Sequence, residues 1–277
     1  EAILETQLLM MSSHNVLSPA DGTPVLVPTQ DQVLGLYYIT KGREHTPENP
    51  VKGEGARFHS PAEVFTAYEH GSVSLNAWVK VKAPVKQEDG SLQEQIIDTV
   101  VGRVIFNEYV PKRMGFINQH LNGKAIQGII DDVYRNSGLT ETVEFLDNIK
   151  ELGFYYAFIG GISFNLSDVP IPDEKETYTG EAREEIEEIW DNYYNGFITN
   201  NERYNQVIDT WTHNTNRVTE ELMKQVTEDR QGFNPVYMMM DSGARGSKEQ
   251  IRQLGGMRGL MAKPRKSAGS GGGEIIE

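Results

Sequence analysis

The 277 residues include no cysteine. That absence excludes disulfides, thiol nucleophiles and thiolate metal sites, and it fits a reducing cytoplasm. Histidine is scarce as well. The six are His14, His45, His59, His70, His120 and His213, and none pairs at the i, i+4 spacing of a helical zinc site. Gly161-Ile162-Ser163 lacks the trailing glycine of a nucleophile elbow. No apolar run approaches the ~20 residues of a membrane-spanning helix, and no signal peptide is visible, so no membrane partner is expected. Basic residues are outnumbered, 26 against 40, giving a net charge of -14 and a pI near 4.9. Nucleic-acid affinity comes mainly from cations neutralising phosphates, so a chain this acidic should not grip duplex DNA over its whole surface. One local basic site, or a basic protein partner, remains compatible with that charge.

Hydrophobic residues make up 38% and mean hydropathy is -0.48. Both are low for a globule and predict that part of the chain forms thin, solvated elements. The sequence opens at Glu1 without an initiator Met, in a stretch that reads as helix, and is taken as a piece excised from a longer chain.

Along the chain, residues 1 to about 12 read as an amphipathic helix with Ile3, Leu4, Leu8 and Met11 on one side. A turn at Pro19 and Asp21-Gly22 leads to a short strand bracketed by Pro24 and Pro28. Asp31 stands where a helix cap would. A polar loop covers 41–60, then a short helix Pro61 to Glu69. Val73, Leu75, Ala77, Val79 and Val81 alternate with polar neighbours, predicting a strand. Its hairpin partner spans about Gln95 to Phe106, with Asp89-Gly90 in the turn. Helices are expected near 122–137 and 140–150, with a short one after Ser167. The apolar run 154–161 is either helix or strand by periodicity.

Heptad spacing marks the region from about 181 to 228. Ala182, Ile186, Ile189 and Tyr193 form one seam; Tyr204, Ile208, Trp211, Thr215, Val218 and Leu222 form a second. Asn195-Gly196 breaks the first helix, and Thr199 with Glu202 has the capping-box pattern that starts the second. The pattern predicts an antiparallel coiled-coil hairpin standing out from a larger body. The fold class expected is α+β, mainly helical, with a β-hairpin.

The chemistry concentrates in Asp241-Ser-Gly-Ala-Arg-Gly-Ser247. A Gly-rich turn entering a helix exposes N–H groups to an anion. Ser247 and Gln250 make a capping box, and Arg245 offers a fork suited to phosphate oxygens. Arg252 follows seven residues later, near the same helix face, and Arg258 lies between glycines. A nucleotide-triphosphate site is one reading; a capped helix with solvated or salt-bridged arginines is the other. It is not a P-loop, because no Gly-Lys-Ser/Thr follows the glycines. Glu181, Glu184, Glu185, Glu187 and Glu188 read as the wet face of the coiled coil rather than a metal site. Nothing here is a self-contained active site. A free-standing acidic coiled-coil adaptor with a phosphate-binding turn fits the residues alone.

Three long blocks carry a resemblance. They are Met10-Met-Ser-Ser-His-Asn-Val-Leu-Ser-Pro-Ala-Asp-Gly-Thr-Pro through Ile39-Thr40, Phe233-Asn-Pro-Val-Tyr-Met-Met-Met-Asp-Ser-Gly-Ala-Arg-Gly-Ser247, and Gln250-Ile-Arg-Gln-Leu-Gly-Gly-Met-Arg-Gly-Leu-Met-Ala-Lys-Pro264. With Glu202-Arg-Tyr-Asn205 and Val207-Ile-Asp209 between them, their order resembles the pore, funnel and F-loop region of the bacterial RNA polymerase beta-prime family.

The resemblance implies a pore domain at 1–168 and a funnel at 169–232 whose coiled coil rims the secondary channel. It also implies a segment 233–277 leading into the F-loop, with a Gly/Ser tract at 267–273. Substrate nucleotides would enter through the channel and backtracked RNA would leave by it. Arg245 matches the arginine that touches the incoming triphosphate. Met257, Arg258, Gly259, Leu260, Met261, Ala262 and Lys263 match the F-loop, and Arg252 lies on the helix leading to it. Glu202 and Asp209 match rim positions met by Gre- and DksA-type factors, although Glu202 serves equally well as a capping residue. Partners implied are the beta, alpha, omega and sigma subunits, those factors, the nucleotide substrate and the RNA 3′ end, in a bacterial cytoplasm. The aspartate motif that holds Mg2+ in the whole polymerase is not in this sequence. No cofactor and no catalytic residue are therefore expected here, and the piece alone should not polymerise.

Overall fold

The computed structural model describes residues 1–87, 90–262 and 275. The chain divides into two compact units, one formed by Glu1–Ser163 with Met238–Arg245, the other by Phe164–Tyr237 with the residues from Gly246 onward.

In the first unit, helix α1 (Ala2–Glu5) continues as a π turn over Thr6–Met10. The expected apolar side exists, but Ile3, Leu4 and Leu8 are all exposed. The strand expected between Pro24 and Pro28 is reduced to an isolated bridge between Leu17 and Pro24. Two prolines without N–H groups cannot sustain a ladder. Helix α2 (Asp31–Thr40) starts one residue earlier than a cap at Asp31 requires. Gln30 occupies the cap position with φ of 53°, and Gln32 Oε1 accepts the Thr29 N–H at 3.3 Å, so Asp31 is a first-turn residue. Val33, Leu34, Leu36, Tyr37 and Ile39 are buried, making α2 the axis of this unit.

A two-residue strand β1 (Arg57–Phe58) precedes helix α3 (Pro61–Glu69), whose bounds match the expectation. Strand β2 (Trp78–Lys86) pairs in parallel with β1 and antiparallel with β3 (Leu92–Val100), from Trp78 opposite Val100 to Lys86 opposite Leu92. The hairpin is real but displaced. Residues 73–77 are not strand, and 101–106 belong to helix α4 (Val101–Glu108). Val73, Leu75 and Ala77 are buried nonetheless, so the alternation reported burial correctly and backbone pairing incorrectly. Val101 through Phe106 are buried without interruption, a run in which period cannot separate strand from helix. Of the expected turn, Asp89 lies outside the described residues; Gly90 has φ of 81°.

Helix α5 (Gly123–Gly160) starts on Asn122, whose side chain accepts the Ala125 N–H at 2.9 Å. It contains a break at Gly138 (φ 81°, ψ -179°), so two helical segments meet where two helices were expected. The apolar run from 154 is the end of this helix, closed by Gly161 in the left-handed region.

In the second unit, the short helix expected after Ser167 is a 3-10 turn at Leu166–Asp168, capped by Asn165. Helix α6 (Glu174–Tyr194) and helix α7 (Asn200–Glu228) pack on each other. Glu181 pairs with Arg217 at 3.0 Å, and Gln225 donates to Glu174 at 3.4 Å. The partner numbers fall as the others rise, so the helices run antiparallel. Ala182, Ile189, Thr215, Val218 and Leu222 are buried as the heptads predict. Near the turn the seam differs. Val207, not Ile208, is buried, and Arg203 fills the next inward position. Its guanidinium lies 4.0 Å over the Trp190 ring and 5.5 Å from that of Tyr193, while its stem occupies the seam.

Candidate functional site

The candidate site begins at a capped helix start. Asn234 is fully buried; its Oδ1 accepts the N–H groups of Val236 and Tyr237 at 2.9 and 3.1 Å. Its Nδ2 donates to the Asp168 carbonyl and to Asp229 Oδ2, both at 2.8 Å. Pro235 then opens helix α8 (Pro235–Asp241), where its missing N–H costs nothing. Sequence reasoning passed over Asn234, although Asn followed by Pro at a helix start is a legible signal.

Beyond Asp241 the chain folds back sharply. Gly243 and Gly246 both have positive φ, 77° and 87°, which side chains with a Cβ rarely adopt. The Arg245 N–H donates to the Met239 carbonyl at 3.0 Å, and the Ala244 N–H to the buried Ser242 hydroxyl at 3.2 Å. The Gly123 N–H at the start of α5 donates to the Ser242 carbonyl at 3.0 Å. This backbone is thus pinned from three directions. The Arg245 side chain is exposed, and among the described residues it has no ion pair.

Below the turn lies a polar cluster. The Tyr37 hydroxyl donates to Asp241 Oδ2 at 2.7 Å and accepts from Lys41 Nζ at 3.2 Å. The His120 ring packs edge-on against Tyr37, with centroids 4.1 Å apart, and His120 Nδ1 lies 3.2 Å from the Thr40 hydroxyl. His120 Nε2 is buried with no hydrogen-bond partner among the described residues. Burial, reinforced by the charges of Lys41 and Arg103, pushes the His120 imidazole down to about 4, so the ring is neutral at pH 7. Burial also lowers the Lys41 ammonium, and the Asp241 carboxylate opposes that shift.

In the second unit, the capping box expected at Ser247 and Gln250 opens helix α9 (Lys248–Gly255). Arg252 pairs with Glu249 on the same helix, and its buried Nε has no hydrogen-bond partner among the described residues. Its guanidinium flanks Gly259: a Cβ there would lie 3.5 Å from Nη1. A Cβ on Gly255 would lie 2.8 Å from Val169 and 3.0 Å from Leu222, so the end of α9 is pressed onto α7. Met257 Sδ receives the Asn214 amide at 3.7 Å. Arg258 is exposed, as are Leu260, Met261 and Ala262, while Lys263 and the Gly/Ser tract lie outside the described residues. Arg245 precedes the Ser247 cap and so lies outside helix α9, which carries Arg252, rather than on a helix face with it.

Glu202 forms the full capping box. Its carboxylate accepts the Thr199 N–H at 2.7 Å and the Thr199 hydroxyl at 2.9 Å, which hold it below the usual carboxylate range. Asp209 is exposed on α7. Among the described residues, no three His, Asp or Glu side chains are grouped to hold a metal, and no helix is long and apolar enough to cross a membrane.

Comparison with known proteins adds a second line. Residues 15–169 match the family model of RNA polymerase Rpb1, domain 3, and residues 198–274 match that of Rpb1, domain 4. The chain is 56% identical over its whole length to the DNA-directed RNA polymerase subunit beta′ of Azobacteroides pseudotrichonymphae. It is 55% identical to that of Bacteroides fragilis and 54% identical to that of Flavobacterium johnsoniae, again over all 277 residues. The chain spans 19% of the length of each of these relatives.

Proposed function

Because the chain belongs to the beta-prime family of bacterial DNA-directed RNA polymerase, we propose that it walls the secondary channel of that enzyme, with Arg245 meeting the triphosphate of the incoming nucleotide. In this reading 1–168 is the pore domain, 169–232 the funnel and 257–263 the F-loop. The remaining beta-prime chain and the beta, alpha, omega and sigma subunits complete the enzyme in the bacterial cytoplasm. Nucleotidyl transfer on Mg2+ takes place at residues outside this sequence, and backtracked RNA leaves past the same wall. Gre- and DksA-type factors dock on the hairpin, where Asp209 offers an exposed carboxylate and Glu202 mainly shapes the helix start. Arg252 supports the F-loop by its packing on Gly259.

One observation carries the reading: Arg245 is exposed and, among the described residues, in no ion pair, on a backbone turn pinned by hydrogen bonds to Met239, within Ser242–Ala244 and to Gly123. A guanidinium held ready in this way suits an anion bearing several phosphate oxygens. No observation favours a free-standing adaptor.

The test is Arg245→Ala in the whole polymerase. Losing a charged hydrogen bond costs about 1.5–3 kcal/mol. The apparent KM for nucleotides should therefore rise roughly ten- to hundred-fold. An unchanged KM and rate would remove Arg245 from the site.

A further inference from the structure

Asp241 and Arg245 are four residues apart on a turn that folds back on itself, yet no ion pair joins them among the described residues. Both side chains are exposed, where attraction between opposite charges is weak, so a hydrogen bond holding either one decides whether they pair. Here Asp241 is held. Its Oδ2 takes the Tyr37 hydroxyl at 2.7 Å, and that hydroxyl takes a hydrogen bond from Lys41 Nζ at 3.2 Å. Tyr37 is itself fully buried on α2, with its ring against His120, so its hydroxyl is fixed in place. Asp241 also closes α8, where a negative charge faces the negative end of the helix dipole. That placement is unfavourable for the helix alone, and a hydroxyl donor backed by an ammonium offsets it.

We infer that Tyr37 and Lys41 are positioning residues that sequester Asp241, keeping the Arg245 guanidinium unpaired and available to a polyphosphate. This deepens the function proposed above and rests on it. The chain of three groups works as a cation-backed latch. Lys41 polarises the phenol, the phenol holds the carboxylate, and the carboxylate is kept from the one nearby cation whose charge the substrate needs. Without the latch, Asp241 would compete with the nucleotide for Arg245.

The experiment uses whole polymerase with substitutions in this region, and measures apparent KM for a nucleoside triphosphate and the rate at saturation in single-nucleotide addition. Tyr37→Phe keeps the ring packing and removes the hydroxyl. It should raise KM about two- to five-fold, the size of a partly exposed ion pair, with the saturated rate unchanged. Adding Asp241→Asn to Tyr37→Phe should restore KM, because the competing charge is gone. Asp241→Asn alone should leave KM at or below the unsubstituted value.

A purely structural network predicts the opposite: the double variant no better than Tyr37→Phe, and Asp241→Asn harmful alone. Either of those results overturns the inference. Arg245→Ala run in parallel separates the two levels. If it raises KM while Tyr37→Phe does not, the latch is wrong and the Arg245 reading stands. If it changes nothing, the reading beneath the latch falls and the latch falls with it.

Discussion

A Cβ placed on Gly35 would sit 1.9 Å from the carbonyl oxygen of Gly153. Helices α2 and α5 therefore touch backbone to backbone. The reverse holds as well, since a Cβ on Gly153 would lie 2.5 Å from the Gln32 carbonyl oxygen. Gly35→Ala should force the helices apart and lower stability by about 1–3 kcal/mol or more, read as a drop in the urea unfolding midpoint. Gly128→Ala on α5 is the control. A Cβ there meets nothing within 4 Å, so the substitution should be neutral or stabilise by up to ~1 kcal/mol. Equal effects at both positions would refute the close approach.

His120 should make the first unit acid-sensitive. Its imidazole falls from the ordinary 6.5 to about 4 on folding, mainly through burial. Between those values the unfolded chain binds the proton and the folded chain does not. The stabilisation is complete above pH 6.5 and is lost as pH falls toward 4, by roughly 3 kcal/mol at most. His120→Gln should flatten this part of the pH profile, as measured by unfolding midpoints at pH 7 and pH 5. An unaltered slope in the variant would assign the acid sensitivity to other groups.

Arg203 should resist replacement by lysine. The planar guanidinium stacks on Trp190 and bonds Asn200 Oδ1 at 3.0 Å, and an ammonium reproduces neither geometry. Arg203→Lys should cost about 0.5–2 kcal/mol. Loss of helical circular dichroism on heating would report it, and an unchanged melting curve would show that charge alone suffices at this position.

On the proposed rim, Asp209→Asn should weaken a Gre- or DksA-type factor by on the order of 1 kcal/mol, with the effect shrinking as salt rises. Titrating the factor against whole polymerase gives the half-point. If it does not move, Asp209 takes no part in docking.

The elements whose signals are local were legible in the sequence. Pro61 at a helix start and the Thr199–Glu202 and Ser247–Gln250 boxes each act within one or two turns, and the structure has them. Of the heptad positions, Ala182, Ile189, Thr215, Val218 and Leu222 are buried and Ile208 is not. What failed depends on distant partners. The strand expected through Phe106 ends at Val100, and the helix that follows is packed so closely on α2 that a Cβ on Gly102 would lie 1.9 Å from the Ile39 carbonyl oxygen, a contact between residues 63 positions apart. The inward place of Arg203 depends on Trp190 from the opposing helix. At the candidate site, Arg245 stood out by its glycine-flanked turn. The hold on Asp241 did not, because Tyr37 is 204 residues away.

That separation also sets an order of events during synthesis. The first unit is interrupted by residues 164–237 and resumes at Met238–Arg245. At about 5–20 residues per second, a ribosome that has just made Tyr37 needs roughly 10–40 s to reach Asp241. Once α5 has been made, late in that interval, α2, the sheet and α5 can collapse together, but the carboxylate that Tyr37 will hold has not been translated. The unit that begins first is the one that closes late, and its final piece is the strip bearing Arg245.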